Sequence, residues 1–150
     1  MKQVLCEVGN NMYGIDIEKV QGIERKLDIV QVPNGSSQVD GIANLRGSVI
    51  PILSLYHKFN IEPKPISEAT KYIITRIGDM HVGFQVDMVA EIVEVPEDKF
   101  MEVPTIVANE DTAYIDSIIQ VNKKLILVLD VEGILNEVEK KNISKLVEDM

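Results

Sequence analysis

Few residues in this chain could carry out chemistry, and their spacing argues against most reactions. The one thiol, Cys6, sits in the apolar run Gln3-Val4-Leu5-Cys6-Glu7-Val8, where a free cysteine usually serves as a small core residue. His57 and His81 are the only histidines. They form no His-x-x-x-His pair, and with no second cysteine the chain has no zinc-ligand spacing. No nucleophile-elbow glycine pattern presents a serine to either histidine. Gly78 to Gly83 lacks the third glycine and the Lys-Ser/Thr of a phosphate loop. Asn109-Glu110-Asp111-Thr112 with Asp116 could ligate a hard cation but lacks the EF-hand order, and a solvated acidic loop is the simpler reading. Asp16, Asp87 and Asp130 are each flanked by apolar residues, so solvent-facing alternation is preferred to a carboxylate pair. The expectation is a protein that binds other proteins, with no catalytic, metal or cofactor site.

The most specific stretch is Gly41-Ile-Ala-Asn-Leu-Arg-Gly-Ser-Val-Ile-Pro-Ile-Leu-Ser-Leu-Tyr-His-Lys-Phe59. Asn44-Leu45-Arg46-Gly47 reads as a turn between two strands, with Gly47 supplying positive φ. Arg46 then projects from a rigid scaffold. On these residues alone, an exposed arginine without special role stays the alternative.

The elements that would position these residues are short β-like runs. Residues 3–8 end at Gly9-Asn10-Asn11, and Tyr13-Gly14-Ile15-Asp16-Ile17 alternates apolar and polar, which together predict a hairpin. A short helical turn is expected within 18–22. Leu27–Val32 alternates again and stops at Pro33-Asn34-Gly35. Val49–Leu53 is β-like, with Pro51 pointing to an edge or bulge. Glu62-Pro63-Lys64-Pro65 is the best linker candidate, since two prolines in three residues favour extended backbone. Further runs cover 72–77, 82–86, 90–95, 118–121 and 125–129. Ile134, Leu135, Val138, Ile143, Leu146 and Val147 have helical spacing with Glu and Lys between them, so 132–150 is expected to be an amphipathic helix, broken near Asn142. It is expected to pack on the rest of the fold, with partner binding second.

Composition sets outer limits. Of 150 residues, 45% are hydrophobic and 26% charged, as in ordinary globular proteins. The formal net charge of -9 argues against nucleic acid and against an anionic membrane surface, both of which need surplus Lys and Arg. No apolar run approaches the roughly 20 residues of a membrane span, and no leader pattern opens the chain. A lone cysteine fits a reducing compartment, so the cytoplasm is expected.

The pattern also repeats. Lys2, Gly9, Gly14, Ile17, Val20 and Ile23 match Lys71, Gly78, Gly83, Val86, Val89 and Ile92 at an offset of 69. Val32-Pro33 matches Val103-Pro104 at 71. Gly41-Ile42, Leu45 and Val49–Leu53 match Ser117-Ile118, Val121 and Leu125–Leu129 at 76. A unit of half this length buries too little surface to stand alone. Two copies sharing a seam are expected, with function at that seam.

The stretch Gly41–Phe59, with Asn44-Leu45-Arg46-Gly47 at its turn, resembles the Asn-Leu-Arg-Gly-x-x-x-Pro-(Ile/Val)-x-Asp-Leu-Arg signature of the CheW family of chemotaxis coupling proteins. The resemblance extends to Tyr13-Gly14-Ile15-Asp16-Ile17-x-x-Val20, to Val82-Gly83-Phe84-x-Val86-Asp87-x-Val89 and to Leu125–Asp130-x-Glu132-x-x-Leu135, covering residues 2 to about 136. It implies a mainly β fold: two tandem SH3-like five-stranded β-barrel subdomains packed together, with a hydrophobic groove between them and a C-terminal α-helix. Residues 1–136 would form the CheW-like domain, divided into 10–65 and 66–131, with the N-terminal strand open to sharing. It implies a non-enzymatic cytoplasmic adaptor between the cytoplasmic tip of chemoreceptors (methyl-accepting chemotaxis proteins) and the regulatory domain of the histidine kinase CheA. A stand-alone regulatory or adaptation module of another two-component pathway is the alternative. For receptor contact the resemblance implies Arg46, with Asn44, Gly41 and Val20 nearby and Val86 and Ile92 from the second half; it assigns no residue to the kinase. Five positions depart from the pattern: Gly22 stands where relatives carry an acid, Ser54 and Tyr56 replace Asp and Arg after the proline, Ser117 replaces Gly, and Lys71 replaces an apolar residue.

Overall fold

The computed structural model describes residues 1–32, 39–105, 113–135 and 137–148. The turn expected at Pro33-Asn34-Gly35 and the acidic run 109–112 lie outside these residues. The described chain forms the strands β1 (Lys2–Val8), β2 (Asn11–Asp16), β3 (Val20–Glu24), β4 (Ile29–Val30), β5 (Val39–Leu45) and β6 (Ser48–Ser54), then helix α1 (Leu55–Phe59). There follow β7 (Lys71–Ile77), β8 (Met80–Val86), β9 (Met88–Glu94), β10 (Ile115–Val121), β11 (Lys124–Leu129) and helix α2 (Glu137–Glu148). Single 3-10 turns occupy Ile17–Lys19 and Glu97–Lys99. The expected alternating strand at 27–32 shortens to two residues.

Two sheets result, a five-stranded one in the order β10-β11-β2-β1-β9 and a six-stranded one in the order β3-β7-β8-β6-β5-β4. The expected division at residue 65 is not the division between sheets. All strands from 20 to 86 belong to the six-stranded sheet, and the five-stranded sheet joins 2–16 to 88–129. The Pro63-Pro65 segment therefore connects β6 and α1 to β7 within one sheet. It is not a free linker either: Ile61 N donates to Tyr56 O at 2.9 Å, and Lys64 Nζ lies 3.1 Å from Glu7 Oε1. The chain crosses between sheets at 17–19 and again at Asp87.

The duplication explains this layout. Substituting each strand by its repeat partner turns β10-β11-β2-β1-β9 into β5-β6-β8-β7-β3, the order of the second sheet. Registers agree as well. Leu5 faces Gly14 where Ile74 faces Gly83, and Gly14 pairs in parallel with Val128 where Gly83 pairs with Ile52. The bulges at 5/6 against β9 and at 20/22 against β7 are also repeat partners. Each half has thus given its first hairpin to the other half's sheet. Tandem sequence order hides this, because an exchanged hairpin carries the same residue pattern as one kept at home.

The exchange puts apolar strands that are buried on both faces at the middle. Leu5 points into a cluster with Val95, Ile119, Ile126 and Val128 inside the five-stranded sheet. Its partner Ile74 points into the equivalent cluster with Ala43, Ile50, Ile52 and Tyr72. The opposite faces, Cys6, Val8, Tyr13 and Ile15 against Ile73, Ile77, Val82, Phe84 and Val86, make one shared core between the sheets. Burying both faces of four strands is what makes units of this size stable together. Pro51 is not on an edge strand: β6 lies between β8 and β5, and the proline falls one residue before the parallel ladder to β8 begins.

Helix α2 starts later than the periodicity suggests and runs through Asn142 without a break. Ile134 and Leu135 belong to the turns before it, where Gly133 N donates to Asp130 O, and they pack with Ile143 into the shared core. Lys58 Nζ pairs with Glu139 Oε1 at 3.4 Å and ties α2 to α1.

Candidate functional site

The Asn44-Leu45-Arg46-Gly47 turn closes the β5–β6 hairpin. Both central residues are left-handed, Arg46 at φ 50 and Gly47 at φ 89, as a two-residue hairpin loop that follows strand twist requires. Asn44 Oδ1 accepts from Gly47 N at 3.0 Å and holds the turn. The repeat partner of this turn is Asn122-Lys123, also left-handed at φ 50 and φ 67. The geometry is kept in both halves, but only the first carries arginine there.

Arg46 Nη2 lies 3.0 Å from Glu24 Oε1, with the arginine side chain 77% exposed and the glutamate 23%. Glu24 and Gly22 share one face of β3: a Cβ placed on Gly22 would lie 3.9 Å from Glu24 Oε1. Glu24 thus lies on the same side of β3 as position 22, since alternation returns the side chain to that side two residues on. Sequence reading missed Glu24 because its relation to Arg46 crosses from β3 to a distant turn.

The other candidates separate. Val20 is half-buried and packs on the shared core, as does its repeat partner Val89. Ile92 is 52% exposed and its partner Ile23 is 37% exposed. Ile23 pairs with Ile73, and Ile92 with Val4, so both project from the strand faces that form the seam. Ile23 was legible as the match of Ile92 in the duplication. Val86, by contrast, is fully buried in the shared core and lines no groove. Gly41 is also internal: a Cβ there would stand 2.5 Å from Val30 O, so it lets β4 close against β5 and offers a partner no surface. The structure brings Arg46, Asn44 and Glu24 together at one end of the six-stranded sheet. It leaves Ile92 on the edge strand of the other sheet.

The remaining departures have local uses. Ser54 Oγ caps α1 by accepting from His57 N. Tyr56 is buried and its hydroxyl donates to Asp87 Oδ1. Ser117 Oγ donates to Asp116 Oδ2 at 3.1 Å. Lys71 Nζ donates to the carbonyls of Glu68 and Ala69.

Groups with chemical potential are placed unfavourably for catalysis. Cys6 is buried, and burial pushes its thiol up to about 12, so the nucleophilic thiolate is suppressed. Asp87 is engaged by Gly9 N and Tyr56, away from Asp16. Asp16 and Asp130 do line one cleft of about 350 Å³, together with Asp116, Glu97 and Lys19. There Asp16 and Asp130 have backbone duties, Asp16 Oδ1 accepting from Glu18 N and Asp130 Oδ1 from Glu132 N, while Asp116 Oδ2 accepts from Ser117 Oγ. Among the described residues no group of three or more His, Cys, Asp or Glu is placed to hold a metal, and no helix is long and apolar enough to cross a membrane.

Comparison with known proteins bears directly on this arrangement. The family model described as CheW-like domain matches residues 2–139. Chemotaxis protein CheW of Helicobacter pylori is 30% identical over 131 residues, covering 87% of this chain and 78% of that protein. Chemotaxis protein CheW of Klebsiella aerogenes is 29% identical over 136 residues, covering 91% and 82%. The crystal structure of the scaffolding protein TtCheW from Thermoanaerobacter tengcongensis superposes with a TM-score of 0.83 at 28% identity, covering 90% of this chain and 87% of that one. With the family match spanning nearly its whole length and the fold shared, the chain belongs to the CheW-like domain family, with a role as a chemotaxis adaptor.

Proposed function

We propose that this chain is a non-enzymatic cytoplasmic coupler that holds the cytoplasmic tip of a chemoreceptor to the regulatory domain of the histidine kinase CheA. The observation that carries the reading is the pair of seam faces, from which the repeat-related Ile23 and Ile92 project while Val20 and Val89 pack beneath. An apolar helix face laid along such a seam would bury these side chains, the usual way a groove recognises a helix. Arg46, held by Glu24 on the face of β3 opposite Ile23, would supply a separate polar contact for the partner.

Transient signalling contacts are often small, below about 1,200 Å², so a few residues should dominate. Arg46→Ala is expected to weaken receptor binding by about 2 kcal/mol, a hot-spot magnitude. Co-sedimentation of the protein with a receptor cytoplasmic fragment and the kinase, scored for kinase activation, tests the reading. Failure of the wild-type protein to join the complex would overturn it.

A further inference from the structure

We infer that Asp87 is a positioning residue that sets how the two sheets sit against each other, and through that the shape of the seam. The groove part of this inference rests on the function proposed above. Asp87 lies between Val86, the last residue of β8 in the six-stranded sheet, and Met88, the first of β9 in the five-stranded sheet. Its backbone N donates to Glu7 O at 2.8 Å, and its Oδ2 accepts from Gly9 N at 2.7 Å. Both partners belong to the β1–β2 hairpin of the five-stranded sheet. Its other oxygen, Oδ1, accepts from the Tyr56 hydroxyl on α1, the helix that follows β6 of the six-stranded sheet. One carboxylate therefore holds a turn of one sheet and a helix of the other. Burial raises its pKa and the Gly9 hydrogen bond opposes that rise, as expected of a carboxylate kept for its acceptor geometry.

The duplication provides an internal control. At an offset of 69 the partner of Asp87 is Glu18, and at an offset of 76 the partner of Tyr56 is Glu132. Both are exposed, and two carboxylates cannot reproduce a hydroxyl-to-carboxylate bond. Of the two crossings between sheets, only the one at Asp87 carries this tie. The crossing at 17–19 has the local cap of Asp16 on Glu18 N. The pin is a feature the second crossing acquired or the first one lost, and it makes an otherwise two-fold arrangement asymmetric at the seam.

The experiment uses the full chain with spin labels at Gln120→Cys in the five-stranded sheet and His81→Cys in the six-stranded sheet, both exposed positions. The buried Cys6 stays in place, since its thiol is shielded. The wild-type background is expected to give one narrow inter-label distance. Asp87→Ala is expected to broaden or shift it, and Tyr56→Phe, which keeps the ring and removes one bond, to do so partially. Ile50→Val, a core truncation inside the six-stranded sheet, is the control for general destabilisation and should leave the distance unchanged. In parallel, Asp87→Ala is expected to lose at least tenfold in binding to a receptor cytoplasmic fragment, with Ile50→Val unaffected. Unchanged distances in Asp87→Ala and Tyr56→Phe would overturn the inference, as would effects no larger than those of Ile50→Val. Shifted distances with unchanged receptor binding would overturn its groove part. If wild-type protein binds no receptor fragment, the proposed function fails while the distance measurements still decide the role of Asp87.

Discussion

The Glu24 carboxylate and the Arg46 guanidinium meet at 3.0 Å across the end of the six-stranded sheet, joining an edge strand to the hairpin turn between β5 and β6. The pair holds an otherwise free arginine in a defined direction beside the strand that carries Val20 and Ile23. Its arginine side is mostly in water, so its worth to the fold is small, of the order of 0–1 kcal/mol.

Arg46→Ala and Glu24→Ala should therefore each leave stability within about 1 kcal/mol of wild type in urea unfolding. Glu24→Ala should still weaken receptor binding, by releasing Arg46 to sample other directions. Binding unchanged in Glu24→Ala would show that the ion pair does not orient Arg46 for its partner.

Val86 and Ile92 should behave oppositely. Val86 is fully buried in the shared core, and Val86→Ala is expected to cost about 2 kcal/mol by loss of packing and cavity formation. Ile92→Ala removes a half-exposed side chain and should cost no more than about 0.5 kcal/mol. It should nevertheless reduce receptor affinity. A stability loss in Ile92→Ala as large as that of Val86→Ala would place Ile92 in the core.

Gln3 is fully buried, and its amide nitrogen and oxygen have no hydrogen-bond partner among the described residues. Its repeat partner is Tyr72, which fills the corresponding place in the six-stranded sheet's core. Removing an unsatisfied buried amide relieves a desolvation penalty of about 1–3 kcal/mol. Gln3→Leu should raise the urea midpoint at unchanged slope. A lowered midpoint would indicate that the amide is satisfied by buried water.

Cutting the chain between Pro63 and Pro65 should not separate the halves. Each sheet takes strands from both sides of the cut, since β1 and β2 pair with β9 and β11 while β7 and β8 pair with β3 and β6. A protease site placed there should yield two fragments that co-elute under native conditions and part only in denaturant. Native separation would be the behaviour of two tandem domains and would contradict the exchanged hairpins.

Cys6 should react with a thiol reagent only as fast as the protein opens. Its folded pKa is raised to about 12, so below that pH the thiolate is scarce in the folded state. A group raised in this way favours folding while neutral. That contribution is fully present below the unfolded thiol pKa and is lost as pH rises through the folded value. Labelling at neutral pH should track unfolding across a urea series; rapid labelling in buffer would contradict the burial.

Much of this could be read from the residues themselves. Alternation located most strands, because a half-buried strand writes its two faces into consecutive residues. The glycines at 9, 14, 78 and 83 exposed the duplication, and the Asn44–Gly47 run fixed the turn that presents Arg46. These are local signals, set by backbone geometry within a few residues. The tertiary structure decided which hairpin joined which sheet, since exchanged and unexchanged copies of a repeat bury the same side chains. It also decided that Val86 and Gly41 lie inside while Ile23 and Ile92 stay exposed on the edge strands of their two sheets, that Glu24 meets Arg46, and that Tyr56 reaches Asp87. Each of these depends on which distant segment lies opposite, and spacing along the chain does not specify that.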